Sequence, residues 1–212
     1  MDYVAIDFEA SCLPRHGRSY PIEVGLCGPE GPVSWLIRPH GDWHGWDWTA
    51  EAEAIHGIGR DRIARDGLPA AVVLDRLIDR IDGRPVVADS ALDGAWWDIL
   101  AQAAGRPGPS PVTTAATLFD RLGTTTEHIL AAQRHADRQC AARHRAADDA
   151  LWLWTVLDRL EALTPSASDP LLRRDAPSSP GRASSSKRPV SSDRPGFSDW
   201  PSSSEWIAGL AA

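Results

Sequence analysis

Residues Tyr3 to Phe8 (YVAIDF) read as a buried strand, yet the run contains Asp7, and Glu9 follows two positions later. Side chains two apart on a strand leave the same face, so these carboxylates stand side by side. A D-x-E pair on its own is most often the solvated face of an edge strand. Here the flanking Tyr-Val-Ala-Ile makes the strand central, and two acids on a central strand are costly unless a cation sits between them. Whatever this chain folds into must therefore bring positive charge to that face.

The segments that follow can be placed by period and by turn residues. Glu23 to Cys27 and Val33 to Ile37 read as two further strands joined by Gly28-Pro29-Glu30-Gly31, which gives a three-stranded antiparallel start. A loop with Trp43, Trp46 and Trp48 leads to a short helical stretch from Glu51 to Ile55 and the turn His56-Gly57-Ile58. Pro69 opens a helix with Val72, Val73, Leu77 and Ile81, and Gly83 stops it. A strand over Pro85 to Ala88, a helix from Leu92 to Ala104, a fifth strand at Val112 to Ala115, and helices over Thr117 to Leu122 and Thr126 to Cys140 come next. A last helix runs from Arg145 to Leu163, with Asp149, Leu153, Val156, Leu157 and Leu160 on one face. The expected architecture is α/β, a mixed five-stranded sheet flanked by helices.

From Thr164 onward the composition turns to Ser, Pro, Asp and Arg, as in SSPGRASSSKRPVSSDRPG. Such a segment cannot bury enough apolar surface to offset its ordering entropy. The expected organisation is a folded domain over 1–163 and a disordered tail over 164–212, in which FSDW and EWIAGL could form a short docking element for a protein partner. No apolar run approaches the roughly 20 residues that span a bilayer, and Met1 leads directly into the first strand, so no membrane association and a cytoplasmic location are expected. Cys12, Cys27 and Cys140 are odd in number and lack C-x-x-C spacing, which fits a reducing compartment. The formal charge of −7 excludes a protein that coats long duplex, which needs a basic stripe. Bound cations at a carboxylate cluster would still let a short nucleic acid end dock.

His144 and Asp149 lie five apart, about 140° around a helical wheel, and cannot share a face of one regular helix. They converge only when His144 occupies the loop before the last helix and Asp149 rides on its apolar stripe. Asp93 falls in the first turn of the Trp96, Trp97 and Leu100 helix, with Ser90 as its N-cap. Taken alone it reads as an ordinary acid complementing a helix dipole. Asp7, Glu9, Asp93 and Asp149 with His144 together make the side-chain set that holds two divalent cations over a phosphodiester.

In their order along the chain, Asp7-Phe-Glu9, Pro21-Ile-Glu23-Val-Gly, Ile55-His-Gly-Ile58, the mid-chain Asp93 and His144-Arg-Ala-Ala-Asp-Asp149 resemble the DnaQ-like, DEDDh group of 3′-to-5′ exonucleases. The resemblance spans Tyr3 to Leu163. It implies an RNase H-like fold, with three antiparallel strands followed by parallel ones, and release of nucleoside 5′-monophosphates from DNA or RNA 3′ ends that are short or single-stranded. It also implies two Mg²⁺ or Mn²⁺ ions. Asp7 would bridge both, Glu9 and Asp149 would complete the position that holds the attacking water, Asp93 would help hold the second ion, and His144 would take the proton from the water. The sister subgroup with a tyrosine needs it four positions before Asp149, where this chain has Arg145.

The family's middle motif often has an Asn three residues ahead of its Phe-Asp pair, whereas this chain reads Ala88-Asp-Ser-Ala-Leu-Asp93. Asp89 and Asp98 therefore compete with Asp93. Ala10, Ser11, Cys12 and Leu13 look like the segment that contacts the 3′ nucleotide, and His56 and Ile58 are candidates for contacting a base. The three tryptophans would either stack on bases or, the preferred reading, cap the sheet edge. Glu23 is expected to be structural, held by a neighbouring backbone group or an Arg. Two other readings stay open, a catalytically silent docking module and an editing subunit recruited by a polymerase through the tail. The oligomeric state is open too, a homodimer included.

Overall fold

The computed structural model describes residues 3–106 and 112–163. The expected tail over 164–212 lies outside the described residues, as does the docking element within it.

Five strands form one sheet in the order β3-β2-β1-β4-β5. Strand β1 (Val4–Ala10) is central, as its apolar run requires, and pairs antiparallel with β2 (Pro21–Cys27), which pairs antiparallel with β3 (Val33–Leu36). On its other side β1 runs parallel to β4 (Val86–Ala88), and β4 runs parallel to β5 (Val112–Thr114). The mixed five-stranded α/β sheet expected from the sequence is thus the one observed. Strand β1 extends past Phe8, with a register shift between Glu9 and Ala10, so Glu9 belongs to the sheet.

The period-2 alternation of β1 sorts the helices into two layers. Val4, Ile6 and Phe8 pack into one cluster with Val73, Leu77 and Ile81 of α3 (Ala70–Ile81) and Trp96, Trp97 and Leu100 of α4 (Ala91–Ala103). The opposite face presents Ala5, and Val87 from β4, to α5 (Ala115–Leu122), α6 (Thr126–Gln139) and α7 (Ala146–Leu163). Leu153, Val156, Leu157 and Leu160 of α7 are all buried there, each contributing roughly 1.5–3 kcal/mol of apolar burial. Asp7 and Glu9 share the face of Ala5 and so look toward α7.

Two short helices precede α3: α1 (Ala50–His56) and α2 (Arg60–Asp66). The second had no counterpart in the sequence reading, because its run of Arg and Asp buries a single side chain, Ile63, and leaves no apolar period to detect. Trp43, Trp46 and Trp48 pack on the core beside β2, Trp43 at 5% exposure stacked on Tyr20 with 5.4 Å between ring centroids. Arg18 covers the Trp46 ring and Arg60 the Trp48 ring. The rings are thus packed against the protein's own core and side chains. Cys12, Cys27 and Cys140 are buried free thiols. Among the described residues no helix is long and apolar enough to cross a membrane.

The N-terminus of α7 rests on β2 at Gly25. A Cβ there would lie 2.1 Å from the Ala146 carbonyl carbon and oxygen, so only glycine permits this approach. Gly25→Ala should therefore lower stability by at least roughly 1–3 kcal/mol, the usual cost of overpacking, read as a drop in the urea midpoint; an unchanged midpoint would mean that α7 does not seat here.

Candidate active site

Asp7 faces Gly25 across the β1–β2 ladder, and Glu9 faces Glu23. The helix that Gly25 admits is thus delivered beside both acids. Glu23, 1% exposed, fixes it: Arg145 Nε and Nη2 donate to the two Glu23 oxygens at 2.9 and 2.6 Å, the Ala146 N–H donates at 3.3 Å, and the Ser34 hydroxyl donates at 2.9 Å. These donors hold the Glu23 pKa below the usual range against the burial that would raise it. Glu23 is structural and paired with an Arg, as expected.

One turn into α7, Asp149 points back at β1. Carboxylate oxygens of Asp7, Glu9 and Asp149 lie within 4.8 Å of one another. They open into a cleft of about 400 Å³ whose wall also includes Ala10, Cys12, Leu13, His56, Asp89 and His144. His144 sits before the helix with φ of +64°, and its main-chain N–H donates to Asp149 Oδ2 at 2.7 Å. This is the arrangement that five-residue spacing demands: the left-handed turn swings His144 to the side on which Asp149 emerges.

Asp93 reaches the same cleft from α4. It is 2% exposed, with Oδ1 accepting from the Phe8 N–H at 3.2 Å and Oδ2 from the Ser90 N–H at 3.1 Å, the second bond being half of a capping box. One carboxylate thus ties the start of α4 to the end of β1. Asp89 borders the cleft, while Asp98 is exposed on α4 and away from it, so Asp98 is eliminated as a competitor.

Two of the expected substrate contacts need correction. Ile58 is fully buried in the core, and its N–H donates to His56 Nδ1 at 3.0 Å, so its side chain serves the turn instead of the cleft. Ser11 is also fully buried, its hydroxyl accepting from the Tyr20 N–H at 3.1 Å. The exposed Ile55, one residue before His56, lines the cleft and was missed; exposure at 54% is the signal, and a sequence alone does not reveal it. Arg15, His16, Arg143 and Trp152 line it as well and were also missed.

The electrostatics are those of crowded like charges out of water. Burial, then Asp93, Glu9 and Asp149, raise the Asp7 pKa well above the usual carboxylate range. Burial, then Asp149 and Glu23, push Glu9 to about 8. Burial and Asp89 push Asp93 to about 8 against its backbone hydrogen bonds, and burial lifts Asp89 to about 6 against the pull of Arg143. Hard oxygen donors converging from β1 and α7, and mutually repelling when ionised, fit Mg²⁺ or Mn²⁺ well. The one sulfur in the wall, Cys12, is a buried thiol whose pKa is raised by burial.

No protein-family model matches the sequence, and no curated protein matches it in sequence. Its fold is shared with solved structures of exonucleases. A 3′-exonuclease recognising the 3′ end of a histone mRNA stem-loop is 16% identical, with 76% of this chain and 64% of that one covered and a TM-score of 0.59. A full-length 3′-exonuclease is 17% identical, with 76% and 60% covered and a TM-score of 0.56. Exonuclease I of E. coli in complex with a dA16 oligonucleotide is 12% identical, with 76% and 41% covered and a TM-score of 0.52. The chain therefore shares the fold of these exonucleases, and spans less than two thirds of the length of each of them.

Carboxyls held protonated by the fold but ionised in the unfolded chain make stability fall as pH rises. The metal-free protein should lose melting temperature as pH climbs from the ordinary glutamate value of 4.5 toward about 8, the span over which Glu9 is displaced. Mn²⁺ should flatten that decline. Thermal melts in EDTA and in Mn²⁺ across this range check both, and a metal-free melting temperature that holds constant or rises would contradict the charge crowding.

Proposed function

We propose that this chain is a divalent-metal-dependent 3′-to-5′ exonuclease of the DnaQ-like, DEDDh group that releases nucleoside 5′-monophosphates from short or single-stranded 3′ ends. The observation that carries the reading is the meeting of Asp7, Glu9 and Asp149, from a central strand and a helix more than a hundred residues later, in one cleft.

Asp7, Glu9 and Asp149 are the residues that would hold the cations, with Asp93 completing the second position. Two oxygens of Asp93 accept one main-chain bond each, which leaves about two of the four lone-pair sites of a carboxylate free. Asp89 is the alternative fourth acid. Bound there, Mg²⁺ or Mn²⁺ supplies activation of a water and stabilisation of charge on the departing 3′ oxygen. His144 accepts the water's proton on a ring nitrogen, from its exposed position at the cleft wall. Asp149 holds the loop that carries His144 through the main-chain N–H. Ala10, Leu13, Leu92 and Ile55 offer the apolar surface against which a terminal base packs. The docking-module and editing-subunit readings rest on the tail, outside the described residues.

The test is hydrolysis of 3′-labelled and 5′-labelled single-stranded DNA and RNA in Mg²⁺, Mn²⁺ or EDTA. Labelled mononucleotide should appear at once from the 3′-labelled strand and only at the end from the 5′-labelled one, with none in EDTA. Asp7→Ala should abolish it, and His144→Ala should reduce it by about 100-fold or more, the usual contribution of a general base. Full activity of folded Asp7→Ala, or turnover in EDTA, rules the proposal out.

A further inference from the structure

Arg143 is a cation inside the acidic cleft, and hydrolysis as described above assigns it no task. Its Nε donates to Asp149 Oδ1 while the His144 N–H occupies Oδ2, so both oxygens of the carboxylate that α7 supplies are engaged. The guanidinium lies over the Trp152 ring, 4.5 Å from its centroid, and that ring is held in turn by Trp152 Nε1 donating to Asp137 Oδ1 at 2.8 Å. Asp89, between β4 and α4, lines the same cleft, and the Arg143 charge partly offsets the burial that raises its pKa. Arg143 is 37% exposed against 13% for Asp149, which places the guanidinium at the solvent side of the pair.

One bond to each Asp149 oxygen still leaves lone pairs open, as on Asp93, but a guanidinium on that carboxylate sets a positive charge against any divalent cation bound there, and the two repel. The planar fork that suits a carboxylate suits a phosphodiester equally well. We propose that Arg143 is a latch on the metal site, occupying Asp149 until the phosphodiester of a bound strand draws the guanidinium off, and so coupling cation binding to nucleic acid binding. Trp152 keeps the freed side chain at the cleft wall, and Asp89 offers it a second carboxylate. The latch rests on the exonuclease reading, because it requires Asp149 to be a metal ligand.

Mn²⁺ binding to the full chain, measured by calorimetry, separates the two. Without nucleic acid, Arg143→Gln should bind Mn²⁺ about 5-fold more tightly than wild type, the ratio that about 1 kcal/mol of ion pairing represents, while Arg143→Lys, which keeps the charge, stays closer to wild type. A single-stranded oligonucleotide with hydrolysis-resistant phosphorothioate links should strengthen Mn²⁺ binding in wild type by a larger factor than in Arg143→Gln. Circular dichroism confirms that each variant is folded. Equal Mn²⁺ affinity of wild type and Arg143→Gln, or equal strengthening by the oligonucleotide, overturns the latch. Asp7→Asn tells which idea failed: if it loses Mn²⁺ binding while Arg143→Gln is unchanged, the metal site stands and the latch alone falls, whereas wild-type binding by Asp7→Asn overturns both.

Discussion

The seating of α7 on β2 governs everything that follows in this molecule. Gly25 removes the one atom that would block the Ala146 backbone, and Glu23 then captures Arg145 and the Ala146 N–H in a buried, charge-assisted set. Neither contact touches the cleft chemistry. Together they fix the origin and direction of a helix whose fourth residue is Asp149, and they do so on the strand adjacent to Asp7 and Glu9. Apolar burial along Leu153, Val156, Leu157 and Leu160 supplies most of the holding energy, but it is not directional and would tolerate a sliding helix. The ion pair and the glycine contact set the register.

That register crowds six acids into one region: Asp7, Glu9, Glu23, Asp89, Asp93 and Asp149. The fold compensates them unequally. Glu23 has Arg145, Asp149 has Arg143 and a backbone N–H, and Asp93 has two backbone N–H groups. Asp7 and Glu9 have no hydrogen-bond donor of that kind among the described residues, and burial with neighbouring charge raises the pKa of both, as it does that of Asp93. Acids left dependent on protons or added cations are candidates for holding a ligand, and Asp7 and Glu9, the two that made β1 anomalous as a sequence, are among them.

How much of this could be read from the residues depends on whether the information is local. Strand and helix periods are local, so the five strands and the long helices fell within a few residues of their observed bounds. The convergence of His144 and Asp149 was legible because five residues cannot share a helical face, which forces the histidine into the preceding turn. Ser11 and Ile58 were misplaced because a motif names a segment and not the direction in which each side chain points. Arg143 went unnoticed inside Arg-His-Arg-Ala, where nothing local distinguishes the arginine that reaches Glu23 from the one that reaches Asp149. Gly25 had a readable signal, a lone glycine within an apolar strand, which marks close approach of another backbone.

The tryptophans show how composition can suggest a surface that packing removes. Ten of the 212 residues are Trp, and three lie in one loop beside the cleft, as a stacking platform for single strands requires. Tyr20 covers Trp43, and the guanidinium groups of Arg18 and Arg60 cover Trp46 and Trp48. Those faces are spent on the protein itself. They brace a loop that is stitched to the segment after β1, with the Thr49 N–H donating to the Ser11 carbonyl at 3.0 Å and the Asp47 N–H to the Arg18 carbonyl at 2.9 Å. The same bonds explain why Ser11 is buried: it lies beneath this loop, and its neighbours Ala10, Cys12 and Leu13 form the wall that the loop supports. Two arginines, Arg18 and Arg60, are consumed in the bracing. On the exonuclease reading, a net charge of −7 concentrates affinity at the innermost phosphodiester, where bound cations would supply the counter-charge.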